Sequence, residues 1–261
     1  MQEIERTANT SINPVAALRA IWQMPGVTVA RLILESYFRS GWMWVEFVLV
    51  LVFFAALFFP FIENVSYFYG TSNWDLSAIA VLGGAIMVRH STGARSYVLL
   101  ARLSSRAAYS SGLMLAAAVL RVPIFLFMLL LVLLAHRLIN PSLDTMLIGA
   151  IGLLPGTMLV SVLTVTLSSP MATRLKRILF LVWIAVVLFS ISPVFELPAF
   201  IMNVLGIVRV PLWPISSCYN VSFTGTLGLP GVLGFLLEGV YVVGLALIAG
   251  YWLERRELLL Y

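Results

Sequence analysis

The stretch AAYSSGLMLAAAVLRVPIFLFMLLLVLLA, residues 107–135, holds a single charge, Arg121. About 20 mostly apolar residues suffice for a helix to cross roughly 30 Å of hydrocarbon. The stretch exceeds that length and therefore predicts a transmembrane helix. Working outward, comparable runs occupy 42–61, 143–167, 178–194 and 231–253. A shorter one, 74–88, is expected to continue past Arg89. Six spans result, and the expected fold is an all-α polytopic membrane protein. It forms one transmembrane domain: an N-terminal segment 1–41, a six-helix membrane part 42–253 and a tail 254–261.

Composition agrees. The 261 residues are 61% hydrophobic and 10% charged. An ordinary soluble domain is about a quarter charged, so this chain lacks the shell that water would require and lipid must cover much of its surface. Basic residues set the orientation, because cytoplasmic segments collect Lys and Arg. Arg6, Arg19, Arg31 and Arg39 precede span one, while Arg89, Arg95, Arg102 and Arg106 follow span two. Arg174, Lys176 and Arg177 follow span four, and Arg255 and Arg256 follow span six. The opposite side offers only Arg137 and Arg209. Both termini are therefore expected in the cytoplasm, with the chain in a plasma (bacterial inner) membrane. Topology accounts for the net charge of +5, and no nucleic-acid partner is needed. No signal peptide is expected, since charged residues from Glu3 to Arg39 come before any long apolar run. Cys218 is the only cysteine, which rules out a disulfide within the chain.

Two segments outside the spans have patterns of their own. After Pro25-Gly26, apolar Val27, Ala30, Leu34, Tyr37 and Phe38 recur at helical spacing, with Arg31, Glu35 and Arg39 at i, i+4 intervals on another face. This predicts an amphipathic helix lying in the cytoplasmic interface, in contact with membrane lipids, and leading into span one. The external connection 195–230 is too apolar for a free loop, yet Pro198, Pro211 and Pro214 forbid one continuous helix. Short helices dipping back into the outer leaflet are expected there, provided protein covers their non-helical backbone.

A search for catalytic chemistry returns little. The two histidines, His90 and His136, fall at opposite faces, and no metal-binding or haem-binding spacing occurs. No phosphate-binding glycine loop is present, and Lys176 is the sole lysine. The chain is therefore not expected to be an enzyme or to hold a cofactor, and any nucleotide chemistry belongs to another subunit. Intramembrane charges remain as candidates, because each is costly unless paired or wetted. Arg121 in span three and Glu238 in span six are predicted at similar depth: they pair, line a path, or meet water separately. Glu46 is read as snorkelling to the cytoplasmic interface. Asp75 is read as capping the external start of span two. Gly83-Gly84 and Gly149, Gly152 and Gly156 suggest close helix packing, and Pro123 and Pro155 suggest kinks.

The segment Arg89-His90-Ser91-Thr92-Gly93-Ala94-Arg95-Ser96-Tyr97-Val98-Leu99-Leu100-Ala101-Arg102-Leu103-Ser104-Ser105-Arg106-Ala107-Ala108-Tyr109 resembles the first cytoplasmic loop of ABC-2 type transporter permeases. In that family a Gly turn precedes a short apolar helix, and a Ser-Arg-x-x-Tyr stretch opens the third span. The basic ending Leu253-Glu254-Arg255-Arg256-Glu257-Leu258 is similar as well. One departure is His90, where these permeases often carry an acidic residue before the turn. The resemblance covers the whole layout: interfacial helix, six spans, a cytoplasmic coupling helix between spans two and three, and short external helices before span six. It implies a permease subunit of an ATP-driven exporter, paired with a second copy or a related permease. Separate ABC ATPase subunits would bind ATP and Mg. Arg95, Tyr97, Val98, Leu99, Leu100, Arg102 and Arg106 would then meet the ATPase. A non-transporting membrane scaffold, or a membrane-embedded enzyme using Glu238 or Asp75, are the alternatives.

Overall fold

The structure is a computed structural model that describes residues 24–59, 64–91, 106–139, 141–168, 178–179, 182–183, 186, 206–207 and 210–255. The coupling segment around Arg95, Tyr97, Val98, Leu99, Leu100 and Arg102 and most of the expected fifth span lie outside these residues. So do residues 195–205 of the external connection. Among the described residues every extended element is helical.

Helix α1, Pro25–Arg39, opens with proline, whose fixed φ and missing N–H suit a first turn. Its last turn holds Arg39, favourable at the negative end of the helix dipole. Val29, Ala30 and Tyr37 are buried, while Arg31, Glu35 and Arg39 are exposed. Arg39 meets Glu35 at 2.6 Å, the expected i, i+4 pair. Gly41 then takes φ +79°, and α2, Trp42–Phe53, leaves at 69° to α1. A π-helical turn, Phe54–Phe58, prolongs α2. A Cβ at Gly41 would meet nothing within 4 Å, so only backbone strain opposes a side chain there. Gly41→Ala is expected to cost about 1–2 kcal/mol, and Gly41→Asn, which tolerates the left-handed region, clearly less. Thermal midpoints of the three forms in detergent would check this ranking.

Helix α3 runs Val65–Ser91, so it begins nine residues before the apolar run that predicts it at 74–88. Asn64 caps it, its Oδ1 accepting the Tyr67 N–H at 2.7 Å. The first half is rich in Tyr, Thr, Ser, Asn and Asp, which lowers its apparent hydropathy. Phe68 to Asn73 and Asp75 are buried against other helices, so the polar side chains among them meet protein. Asp75 consequently lies inside the helix and does not cap its start.

Helices α4, Arg106–Leu134, and α5, Leu143–Ser168, match their predicted spans to within a residue or two. A 3-10 turn, Val210–Leu212, leads into α6, Trp213–Thr224, and the chain returns through α7, Leu229–Arg255. By length and composition, Ala107–Leu134, Leu143–Leu167 and Leu229–Tyr251 are fit to cross a membrane, and α1 with α2 makes a fourth if the bent pair is one span. Their outward side chains, such as Leu126, Leu130, Leu147, Ile151, Leu236, Val240 and Leu247, are exposed and apolar. Arg121, Thr157, Ser161, Thr164 and Glu238, by contrast, are buried.

Helix directions follow from paired contacts. The Tyr69 hydroxyl donates to the Met146 carbonyl at 2.6 Å, and Gly84 lies against Ser161 and Thr164, so α3 and α5 run parallel. The Tyr109 hydroxyl donates to the Ser91 carbonyl, and Arg121 meets Gly83, so α4 runs against α3. Helices α6 and α7 form an antiparallel hairpin. Gly231 touches Val221 and Gly234 touches Ser217, and the Tyr241 hydroxyl donates to the Pro211 carbonyl at 2.7 Å. Tyr241 is twelve residues into α7, about 18 Å along it at 1.5 Å per residue. The short limb therefore starts beside the middle of α7 and runs back toward its first turn. Pro214, Ile215, Cys218, Tyr219 and Ser222 of that limb are buried.

Candidate functional site

Two apolar clusters make up the core. One centres on Phe58, Phe68, Ile124, Met128, Leu153 and Leu159. The other centres on Val29, Tyr37, Met87, Leu113, Ala117 and Leu120. Between them, where α3 passes from Ala80 to Met87 and α4 from Leu120 to Ile124, lies a layer of charge. Arg121 Nη2 donates to Glu46 Oε2 at 2.8 Å, and the Tyr37 hydroxyl donates a short hydrogen bond to Glu46 Oε1. Glu46 is 0% and Arg121 2% exposed. Gly83 makes the room, since a Cβ there would stand 2.2 Å from Glu46 Oε1. The layer ties α1, α2 and α4 together over a glycine of α3.

One alternative left open is thereby decided and one expectation corrected. Arg121 pairs with Glu46 and not with Glu238. Glu46 does not snorkel: Tyr37 of α1, Arg121 of α4 and Gly83 of α3 enclose its carboxylate, so four residues from the helix end is not four residues from water. Glu238 instead accepts from the Cys218 thiol at 3.1 Å.

A second polar group joins α3 to the α6 hairpin. The Ser77 and Tyr219 hydroxyls are 2.5 Å apart, and Ser222 Oγ donates to Asn73 Oδ1 at 3.3 Å. Small residues of α5 let the hairpin approach. A Cβ on Gly156 would meet the Tyr219 ring, and one on Gly152 would stand 2.6 Å from both the Cys218 carbonyl and the Ser222 nitrogen. Sequence reading singles out these glycines and places Tyr37 on an apolar face, but misses the polar roles of Asn73, Ser77, Tyr219 and Ser222. Their signal was the i, i+4 step Asn73–Ser77 and the i, i+3 step Tyr219–Ser222 within apolar surroundings.

A cleft of about 570 Å³ opens where α1 meets the ends of α3 and α4, bordered by Leu32, Ile33, Tyr37, Met87, His90 and Tyr109. Among the described residues no three His, Cys, Asp or Glu side chains converge for a metal ion. The fold and these layers define a class, an all-α protein whose apolar helices suit a membrane and whose interior is held by buried polar contacts. No protein family, characterised protein or solved structure matched the chain.

Proposed function

We propose that the chain is the permease subunit of an ATP-driven ABC-2 type exporter, lying in the plasma (inner) membrane with both termini cytoplasmic. In this reading its six spans are α2, α3, α4, α5, 178–194 and α7. Helix α1 lies in the cytoplasmic interface, α6 is re-entrant from the outer face, and the segment 96–103 is the coupling helix. The chain forms half of the translocation path with a second copy or a related permease. ABC ATPase subunits beneath bind ATP and Mg and perform the hydrolysis.

What supports the reading is that two helices, α1 and α6, each turn back against a longer neighbour. One, α1, turns through 69° into the first span, and the other, α6, folds back against the last. The resemblance in the loop after α3 implies both elements. Helix direction also supports it: α3 and α5 run together and α4 against them, as the alternating topology of spans two, three and four requires.

The test is a pull-down from native membranes in mild detergent, beside a variant carrying Tyr97→Ala, Leu99→Ala and Arg102→Ala. The expected result is a P-loop ATPase that accompanies the wild-type chain and is lost from the variant. An intact oligomer with no ATPase would remove the export reading and favour a scaffold.

A further inference from the structure

Hydroxyls inside this protein's helices are mostly satisfied by their own backbone. Thr164 donates to the Val160 carbonyl at 2.8 Å, Thr166 to Val162 at 2.7 Å and Ser91 to Val88 at 2.9 Å. On α3, Thr71 and Ser72 do not follow this pattern. Thr71 Oγ1, Ser72 Oγ and Asp75 Oδ2 are buried with no hydrogen-bond partner. The residues are 7%, 0% and 4% exposed. Thr71 and Asp75 stand at i, i+4 and Ser72 and Asp75 at i, i+3, so both hydroxyls are Asp75's neighbours on one face of the helix. Leaving a buried polar group unpaired costs about 1–3 kcal/mol, more for a charged one. Three such oxygens side by side ask for a common partner.

No described cation is paired with Asp75: Arg121 is held by Glu46, and Arg137 stacks over the Phe59 ring at 4.9 Å with its Nε buried and unpartnered. Helix α5 carries only Asp144, near its start, and α6 carries no formal charge. The Tyr219 hydroxyl of α6 is engaged with Ser77. Glu46 of α2 and Arg121 of α4 bind one another at Gly83, about two turns further along α3. Helix α1 shares a cleft with Met87, His90 and Ser91 at the far end of α3, and Glu238 of α7 faces Cys218. A carboxylate beside two hydroxyls offers hard oxygen donors, which suit hard cations, and an intramembrane carboxylate commonly marks an ion pathway.

We propose that Asp75, Thr71 and Ser72 form a binding site for a small monovalent cation of Na+ type, with water completing its shell. The site lies about 9–15 Å along α3 from Val65, and the cation enters from that end. Asp75 neutralises the charge, while the two hydroxyl oxygens select for size. The Ser77–Tyr219 and Asn73–Ser222 contacts hold the opposite side of α3 against α6 and fix the rotation that keeps the three oxygens together. The inference rests on this geometry and does not depend on the exporter reading.

The test uses the purified full chain in mild detergent, with its unfolding midpoint followed by tryptophan fluorescence. Na+ is raised against choline at constant ionic strength, with Li+ and K+ as further probes. The expected result is a saturable rise in midpoint with Na+ that Asp75→Asn abolishes. Thr71→Val and Ser72→Ala keep the carboxylate and are each expected to weaken the apparent Na+ affinity about tenfold. If Asp75→Asn does not fold, these two variants carry the test. A wild-type midpoint that Na+ leaves unmoved, or that choline moves equally, overturns the proposal. So does a Na+ response left unchanged in Asp75→Asn, or in both hydroxyl variants.

Discussion

Glu46→Ala is expected to be among the most damaging single substitutions in this chain, and Arg121→Ala to damage it to a similar degree. Each leaves its partner charged in a layer that water does not reach, since Glu46 is 0% and Arg121 2% exposed. Removing one member of a buried pair typically costs about 3–5 kcal/mol, because an uncompensated charge remains. Glu46→Ala also takes away the acceptor of the Tyr37 hydroxyl and so loosens α1 from the core. Tyr37→Phe, which spares the charges, isolates that smaller share. The double variant Glu46→Leu/Arg121→Met removes both charges and keeps most of the volume, so it is expected to be more stable than either alanine variant. Denaturation midpoints for the wild type, Glu46→Leu, Arg121→Met and this double variant close the cycle that measures the coupling, and additive losses would sink the pairing. Arg121→Ala and Glu238→Ala, by contrast, are expected to add, because the two side chains share no partner.

The reason the sequence left the partner of Arg121 open shows what it could convey. Apolar runs predict α4, α5 and α7 because lipid-facing helices must be apolar along their whole length. The alternation in α1 predicts its exposed Arg31, Glu35 and Arg39, because one face meets water whatever lies beneath. Depth is different. The buried position of Glu46 depends on Tyr37, Gly83 and Arg121 converging on it from three other helices, a tertiary event absent from any local window. The first half of α3 is hidden for the converse reason. Thr71, Ser72, Asn73 and Asp75 read as surface residues, and only burial among other helices lets them sit inside a helix of this kind. The glycines of α5 were legible as packing sites, but not their partners: Gly149 meets Tyr69 of α3, while Gly152 and Gly156 meet α6, 57 residues or more beyond them in the chain. Of the expected ATPase contacts, Arg95, Tyr97, Val98, Leu99, Leu100 and Arg102 fall outside the described residues, and Arg106 begins α4 with its side chain undescribed.

Gly152→Val is expected to detach the α6 limb from α5 without unfolding the long helices. The atoms a new Cβ would meet are the Cys218 carbonyl and the Ser222 nitrogen, both at 2.6 Å, and the Ser222 Cα at 3.0 Å. Backbone cannot swing aside as a flexible side chain can. Close approach at small residues is what holds helices together where lipid is as apolar as the core. Overpacking of this kind commonly costs about 1–3 kcal/mol, and here the whole of it falls on one short, separable element. The chain carries its own reporter, since Cys218 is its single cysteine and is fully buried beside Glu238. In the wild type the thiol should resist a membrane-permeant maleimide until the protein is denatured. In Gly152→Val it should label rapidly under native conditions. Gly239→Ala is the control, because a Cβ there meets nothing within 4 Å. It should leave labelling unchanged and, through the better helix propensity of alanine, raise stability slightly. Equal protection of Cys218 in Gly152→Val and Gly239→Ala would mean that α6 is not held through Gly152. The Ser77–Tyr219 and Asn73–Ser222 hydrogen bonds to α3 would then be the contacts that fasten the hairpin.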